Sequence, residues 1–432
     1  MSKNENSALH FQRFCCIPWD DEPAYLRPRL RHAPGFSLLG TNQAREQHTP
    51  FRFKWSPGGL HILNHGHGNT AGAGDLKLLH VDERGVWQGN TPLPDHSPHA
   101  QQQELVDFSV DEDHNCYLLE KVLVPESADG DGATHYNRLT ATDRDGRIQW
   151  CHQGPHTTEE AEFTSLTGDF RKLCFQPSFG LFLLAASSND VLGLADPTTG
   201  VFKQTFTFDK GMEEKVFFNE AGTLLRTLFF EDLNRYGMAA FHPSWPKGKE
   251  TIGDESLYGP LQFPFGVDEA MSFYVYQLPG MYPVPGITQV AFNGRATSLV
   301  SLKDMVTRDA DVFIHYAEKK NLMVCAFHPD GRRRQWSIRV RSGEARDYVL
   351  VKVDDRDQCY FLVGEGPGSA GTLQVFSRDG KRQDVIAPPF DWLSTVTSLQ
   401  GFTDWQVDSQ GRIYFPIIGP YGFEIVRSYQ PT

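Results

Sequence analysis

The sequence predicts an all-β chain, a single β-propeller made of four-stranded blades. Three observations predict it. Apolar runs of four to eight residues are bounded by Asp, Asn, Gly and Pro, the pattern of strands joined by tight turns. The 39 Gly and 27 Pro supply many such turns. Pairs of these hairpins recur along the chain, while long amphipathic helical stretches are scarce.

The clearest repeat begins with Val106-Asp-Phe-Ser-Val110, turns through Asp111 to Asn115 and returns in Cys116-Tyr-Leu-Leu119. A loop leads to His135–Thr142, the turn Asp143-Arg-Asp-Gly146 and Arg147-Ile-Gln-Trp150. The same pattern places inner hairpin turns at 56–59, 111–115, 177–180, 219–222, 268–270, 309–311, 354–357 and 408–411. Outer turns fall at 82–85, 143–146, 196–200, 243–248, 293–294, 329–331 and 378–380. Eight inner turns predict eight blades. Seven remains an alternative, because the inner strand Asp304–Arg308 of the sixth unit is poor.

The missing outer turn is the last one. After Gly411 come Arg412–Ile418 and Phe423–Tyr429, and no fourth strand follows. The N-terminal segment (residues 1–50) is therefore expected to contribute a closing strand to the propeller at 51–432. Gly35–Gly40 and His10–Ile17 are the two candidates. Such closure leaves no open sheet edge.

The segment Val407-Asp-Ser-Gln-Gly-Arg-Ile-Tyr414 resembles repeats of the NHL type. Asp196-Pro-Thr-Thr-Gly200 is similar to part of the quinoprotein-dehydrogenase repeat, as is Ala141–Trp150 with one residue fewer. These resemblances imply propeller architecture and say almost nothing about chemistry. The regular tryptophans of quinoproteins are absent from most blades, which counts against a quinone cofactor.

A net charge of −13 argues against nucleic acid or an anionic membrane surface as partner. No stretch approaches the length of a membrane-spanning helix. Seven irregularly spaced cysteines and a polar N-terminus lead to the expectation of reduced thiols and a cytoplasmic protein.

In a four-stranded blade the two hairpin turns lie on one face. The middle loop and the crossover to the next blade lie on the other, which is where function is expected. Thirteen of the 16 histidines precede residue 157. Sorted by face, His65, His67, His96, His99, His135, His152 and His156 all fall on the loop face of the first two blades, with His61 just upstream of His65. Neutral imidazoles suit a divalent transition metal, so these seven form the candidate metal ligands. The ordinary alternative is a polar rim of solvated histidines. Met281, Tyr282 and Tyr421, in other loops of that face, are the candidate partner-binding residues.

Two functions follow. The first is a non-enzymatic binding or scaffold propeller that presents its loop face to a protein or peptide. The alternative is a metal-dependent enzyme, a hydrolase or an oxidase, using the histidines. No recognised catalytic motif chooses between them.

Overall fold

A computed structural model describes residues 9–18, 51–56, 59–64, 77–93, 102–124, 134–157, 162–185, 191–208, 212–219, 221–230, 235–245, 251–252, 262–277, 286–301, 304–308, 311–318, 320–340, 348–363, 372–386, 398–399, 405–418 and 422–429. These residues form eight antiparallel sheets and no helix, a β-propeller architecture of eight blades. No helix among them is long and apolar enough to cross a membrane.

The chain divides into two compact units, residues 50–258 and residues 1–49 with 259–432. The first holds blades 1 to 4. Blade 1 is Phe51–Ser56, Gly59–Asn64, Lys77–Val81 and Trp87–Pro92. Blade 2 is Gln102–Val110, Cys116–Val124, Thr134–Thr142 and Ile148–Pro155. Blades 3 and 4 begin at Phe170–Gln176 and Met212–Phe218. Neighbouring blades share apolar cores: Leu78, Phe108, Val110 and Leu118 join blades 1 and 2, while Tyr117, Leu139, Leu173 and Leu183 join blades 2 and 3. The first strands of these three blades are also tied by polar groups. Lys54 Nζ lies 2.8 Å from Asp107 and donates to the Leu173 carbonyl, and the Leu173 N–H donates to Asp107.

The second unit holds blades 5, 6 and 7, which begin at Gln262–Val267, Asp304–Arg308 and Tyr348–Val353, and a terminal blade. The weak inner strand Asp304–Arg308 does form, paired residue by residue with the next strand. In the terminal blade, Gly422–Tyr429 lies between Ile413–Ile418 and His10–Pro18. The N-terminal strand is thus the fourth strand of the last blade, paired from His10↔Tyr429 to Pro18↔Gly422. The other candidate, 35–40, lies outside the described residues.

Within this unit, chain order and packing order differ. Trp405 of the terminal blade packs on Phe265 and Tyr276 of blade 5, while Phe11 packs on Phe327 of blade 6. Trp405 is 1% exposed, and truncating such a side chain to Ala costs about 3–5 kcal/mol.

The hairpin turns form because their first residue organises them. Asp111 Oδ1 accepts the N–H groups of Asp113 and Asn115, and Oδ2 accepts the Tyr117 hydroxyl at 2.9 Å. Asp268–Tyr274, Asp354–Tyr360 and Asp408–Tyr414 repeat this pair at 3.1, 3.2 and 3.0 Å. Such an Asx turn closes the hairpin and leaves the carboxylate no unpaired partner to seek.

One turn position has a left-handed backbone: His114, Met271, Asp357, Gly222 and Gly411, with φ of 63°, 59°, 57°, 84° and 73°. Where the neighbour lies in the same unit, this position faces an adjacent blade. A Cβ on Gly222 would press on Phe179 of blade 3, and one on Gly411 would press on the Tyr274 hydroxyl of blade 5. Asp357 reaches Arg308 and Arg334 of blade 6 at 3.1 and 3.0 Å.

Candidate metal centre

Strand register makes blade 1 the odd member of the set. Lys54↔His61 occupies the place of Ser109↔Tyr117, Gly266↔Tyr274, Lys352↔Tyr360 and Gln406↔Tyr414. The Asp–Tyr pair is therefore replaced by Ser56 and His61, whose Oγ and Nε2 lie 2.6 Å apart. Directly across the sheet His61 pairs with His80, the position held in blade 5 by Gln289. In blade 5 that glutamine donates to both Asp268 and Tyr274, so the trio Asp–Tyr–Gln becomes Ser–His–His in blade 1.

The third imidazole comes from the neighbouring blade. His114 sits in the inner turn of blade 2, and its ring lies 5.8 Å from that of His61 and 5.0 Å from that of His80. One nitrogen from each of His61, His80 and His114 falls within 4.8 Å of the others. His61 is 1% exposed and His80 9%. A left-handed backbone costs a non-glycine residue about 1 kcal/mol, although His tolerates it better than most. Glycine fills the same position in the turns at Gly222 and Gly411.

The hydrogen bonds orient the rings. The Thr91 hydroxyl donates to the Arg144 carbonyl at 2.7 Å, so at 2.8 Å it accepts from His80 Nε2–H. His80 Nδ1 then carries a lone pair, aimed at His61 Nδ1 3.0 Å away. His61 has two ways to meet it. With the proton on Nδ1 it donates to His80, and Ser56 donates to its Nε2. With the proton on Nε2 it donates to Ser56, whose hydroxyl turns to the Gly59 carbonyl at 3.5 Å, and two lone pairs then face one point. The second arrangement needs a cation between the rings. The exchange between them moves a proton within His61 and releases none.

Electrostatics favour lone pairs. Burial first, then the neighbouring imidazoles, holds His61 well below the ordinary histidine value. Burial and then His114 push His80 down to about 4. Both rings are neutral at physiological pH. His114 Nδ1 is buried without a hydrogen-bond partner among the described residues, a costly state for an imidazole nitrogen unless something binds it.

Ligands of a tetrahedral zinc ion lie roughly 3.3 Å from one another, from bonds of about 2.0–2.1 Å. The trio brackets that spacing, from 3.0 Å between His61 and His80 to within 4.8 Å for the set. Ser56 and Thr91, on the far nitrogens of two rings, are the usual partners that fix a ligating imidazole. The Ser56–His61 contact also has the length of a nucleophile–base pair. The same two positions hold a structural Asp–Tyr bond in four other blades, so its occurrence here requires no catalytic explanation.

Of the seven histidines singled out from sequence, three lie among the described residues. His135 and His156 meet at the loop end of blade 2, rings 6.0 Å apart, and His156 faces Asp169 at 3.3 Å. Lys121 also pairs with that carboxylate at 2.7 Å, which sets a cation where a metal would go. His152 packs at a tilt against Trp150 and its Nε2 meets the Thr199 carbonyl in blade 3. His65, His67, His96 and His99 lie outside the described residues, as do Met281, Tyr282 and Tyr421. Sequence reasoning passed over His80 and His114 because they belong to the turn end. Counting outward from the turns at 56–59 and 82–85 would have set His61 opposite His80.

No family model matches the chain, and no curated protein matches it. Among solved structures it is similar to the Dos1 propeller, at 9% identity over 86% of this chain and 89% of that one, with a TM-score of 0.35. It is similar also to the β-propeller domain of the Trilobed protease from Pyrococcus furiosus, at 9% identity, 77% and 97% coverage and a TM-score of 0.35. BamB from Moraxella catarrhalis gives 13% identity, 88% and 96% coverage and a TM-score of 0.30. Likenesses this distant carry no functional argument.

Proposed function

We propose that this chain is a binding propeller whose built-in ligand is a divalent transition-metal ion, zinc being the simplest occupant. The observation that carries it is the convergence of the three imidazoles His61, His80 and His114, two of them anchored from behind by hydroxyls and the third with a buried, unpartnered nitrogen. Imidazole donors favour zinc, copper, nickel and iron over magnesium or calcium. Three neutral ligands leave the ion its full charge and one position for water or a small anion, the arrangement from which hydrolytic zinc sites work.

The test uses protein prepared without a histidine tag, loaded with one equivalent of zinc and passed through gel filtration before elemental analysis. About one zinc per chain is expected. It should persist in the His65→Ala/His67→Ala variant and disappear in His80→Gln, which gives blade 1 the residue blade 5 already uses. Zinc lost from the first variant and kept by the second contradicts the proposal, as does no retained zinc in the parent protein.

A protein partner is the second reading, and one observation favours it. The outer turns of blades 1, 2 and 3 expose Val86, Ile148 and Val201, at 54%, 48% and 58%. Scattered exposed aliphatics are ordinary, but three on consecutive blades suit an apolar contact. If they bind a partner, Ile148→Asp with Val201→Asp should abolish cross-links formed from these turns; unchanged cross-linking would refute it.

A further inference from the structure

We infer that the metal at this centre acts as a latch between two blades, tying the inner turn of blade 2 to the hairpin of blade 1. The inference rests on the metal reading above and adds to it a mechanical role for His114.

The left-handed turn position is the common element. At the blade 3–4 joint Gly222 lies against Phe179, and Gln176 of blade 3 donates to the Asn219 carbonyl of the same turn at 2.9 Å. At the joint of blade 5 with the terminal blade, Gly411 lies against Tyr274. At the blade 6–7 joint Asp357 forms ion pairs with Arg308 and Arg334. Gln176, Phe179, Arg308 and Tyr274 belong to the neighbour's first two strands or the turn between them, and Arg334 to its fourth strand. Register puts Gln176, Arg308 and Ser56 at one position, each last on its inner strand before the turn, and puts Tyr274 and His61 at another.

The blade 1–2 joint follows the same plan with a different bond. His114 reaches over His61 and His80, as Asp357 reaches over Arg308. Opposite charges close the second joint by themselves. Three imidazoles do not: between His114 and the pair below it there is ring contact, and among the described residues no hydrogen bond to its buried Nδ1. A cation shared by all three supplies the missing tie. It also offsets the left-handed backbone of His114, which in a turn of this type is otherwise best served by glycine. The ion needs no ligand from the loop end of the blades to do this.

The turn carries its own reporters. His114 N–H donates to the Asp111 carbonyl, and Asp111 N–H to the Asn115 carbonyl, both at 3.1 Å. A metal that binds the closed joint and not the open one lowers the open population in proportion to its saturation. Hydrogen–deuterium exchange of tag-free, full-length protein, with and without one equivalent of zinc, reads this directly. Exchange across 111–116 should slow about ten-fold or more with zinc, while 354–359 stays unchanged. In His114→Gly the zinc-dependent protection should vanish. Zinc retained through His80 but with unchanged exchange at 111–116 overturns the latch and leaves the metal reading standing. No retained zinc removes both.

Discussion

Blades 1 and 2 in one unit meet at the same turn position as blades 6 and 7 in the other, yet the two joints are chemically unlike. Asp357, at φ 57°, satisfies two arginines of the blade beside it and is satisfied in return. His114, at φ 63°, covers two more histidines and has a buried nitrogen without a hydrogen-bond partner among the described residues. One joint is closed by its own side chains, and the other is the one at which we propose an added cation. A repeated fold makes such a difference informative, because the repeats supply the control. Where four other blades have Asp–Tyr and two other turns have Gly, three departures toward histidine at touching positions mark a place where something besides packing is served.

The largest effect expected from breaking this comparison belongs to His114→Gly. Zinc affinity should fall about 100-fold with one of three ligands gone, while the metal-free protein gains up to about 1 kcal/mol from relief of the left-handed backbone. Competition with a chromophoric chelator and urea unfolding measure the two halves. Asp357→Gly relieves the same backbone strain but removes one ion pair from each of Arg308 and Arg334, which keep Asp311 and His328 as partners, so it should cost about 1 kcal/mol with zinc or without it. If Asp357→Gly proves neutral in urea unfolding, the blade 6–7 joint is not held as described. Thr91→Val removes the acceptor behind His80 together with the donor to the Arg144 carbonyl, and should weaken zinc about ten-fold.

The smallest effect lies outside both joints. Glu424 is buried in the terminal blade, and desolvation raises its carboxyl above the usual range, against the opposing pull of Thr307 and Arg13. A carboxyl raised in the folded state binds its proton more tightly there than in the unfolded chain. Its contribution is therefore fully present below about 4.5 and is lost as pH rises through the folded value. Glu424→Gln should match the parent protein in acid and exceed it in urea midpoint at neutral pH. A variant less stable at both pH values contradicts this assignment.

Much of the fold was legible because its signals are local. Asp111, Asp268, Asp354 and Asp408 announce their turns through bonds to residues two to six positions on, and those turns count the blades. The shortage of a fourth strand at the C-terminus pointed to the N-terminus, and His10–Pro18 fills the place. The packing of the terminal blade against blades 5 and 6 was not legible, because it depends on Phe11, Phe327, Trp405 and Phe265 meeting across long separations. The three-histidine cluster was legible only in part. The abundance of histidine in the first two blades is visible in the sequence, but the rule that long loops carry function points to the loop face rather than the turn end. His61 and His80 could have been joined by strand register. His114 could not, because its reach into blade 1 depends on how two sheets pack.

The central claim is tested most directly by X-ray absorption at the zinc edge on tag-free protein holding one equivalent of metal. The account predicts zinc surrounded by three imidazole nitrogens at about 2.0 Å with a fourth light ligand, and a loss of one imidazole in His114→Gly. A spectrum unchanged by His114→Gly, or a protein that retains no zinc to measure, would contradict it.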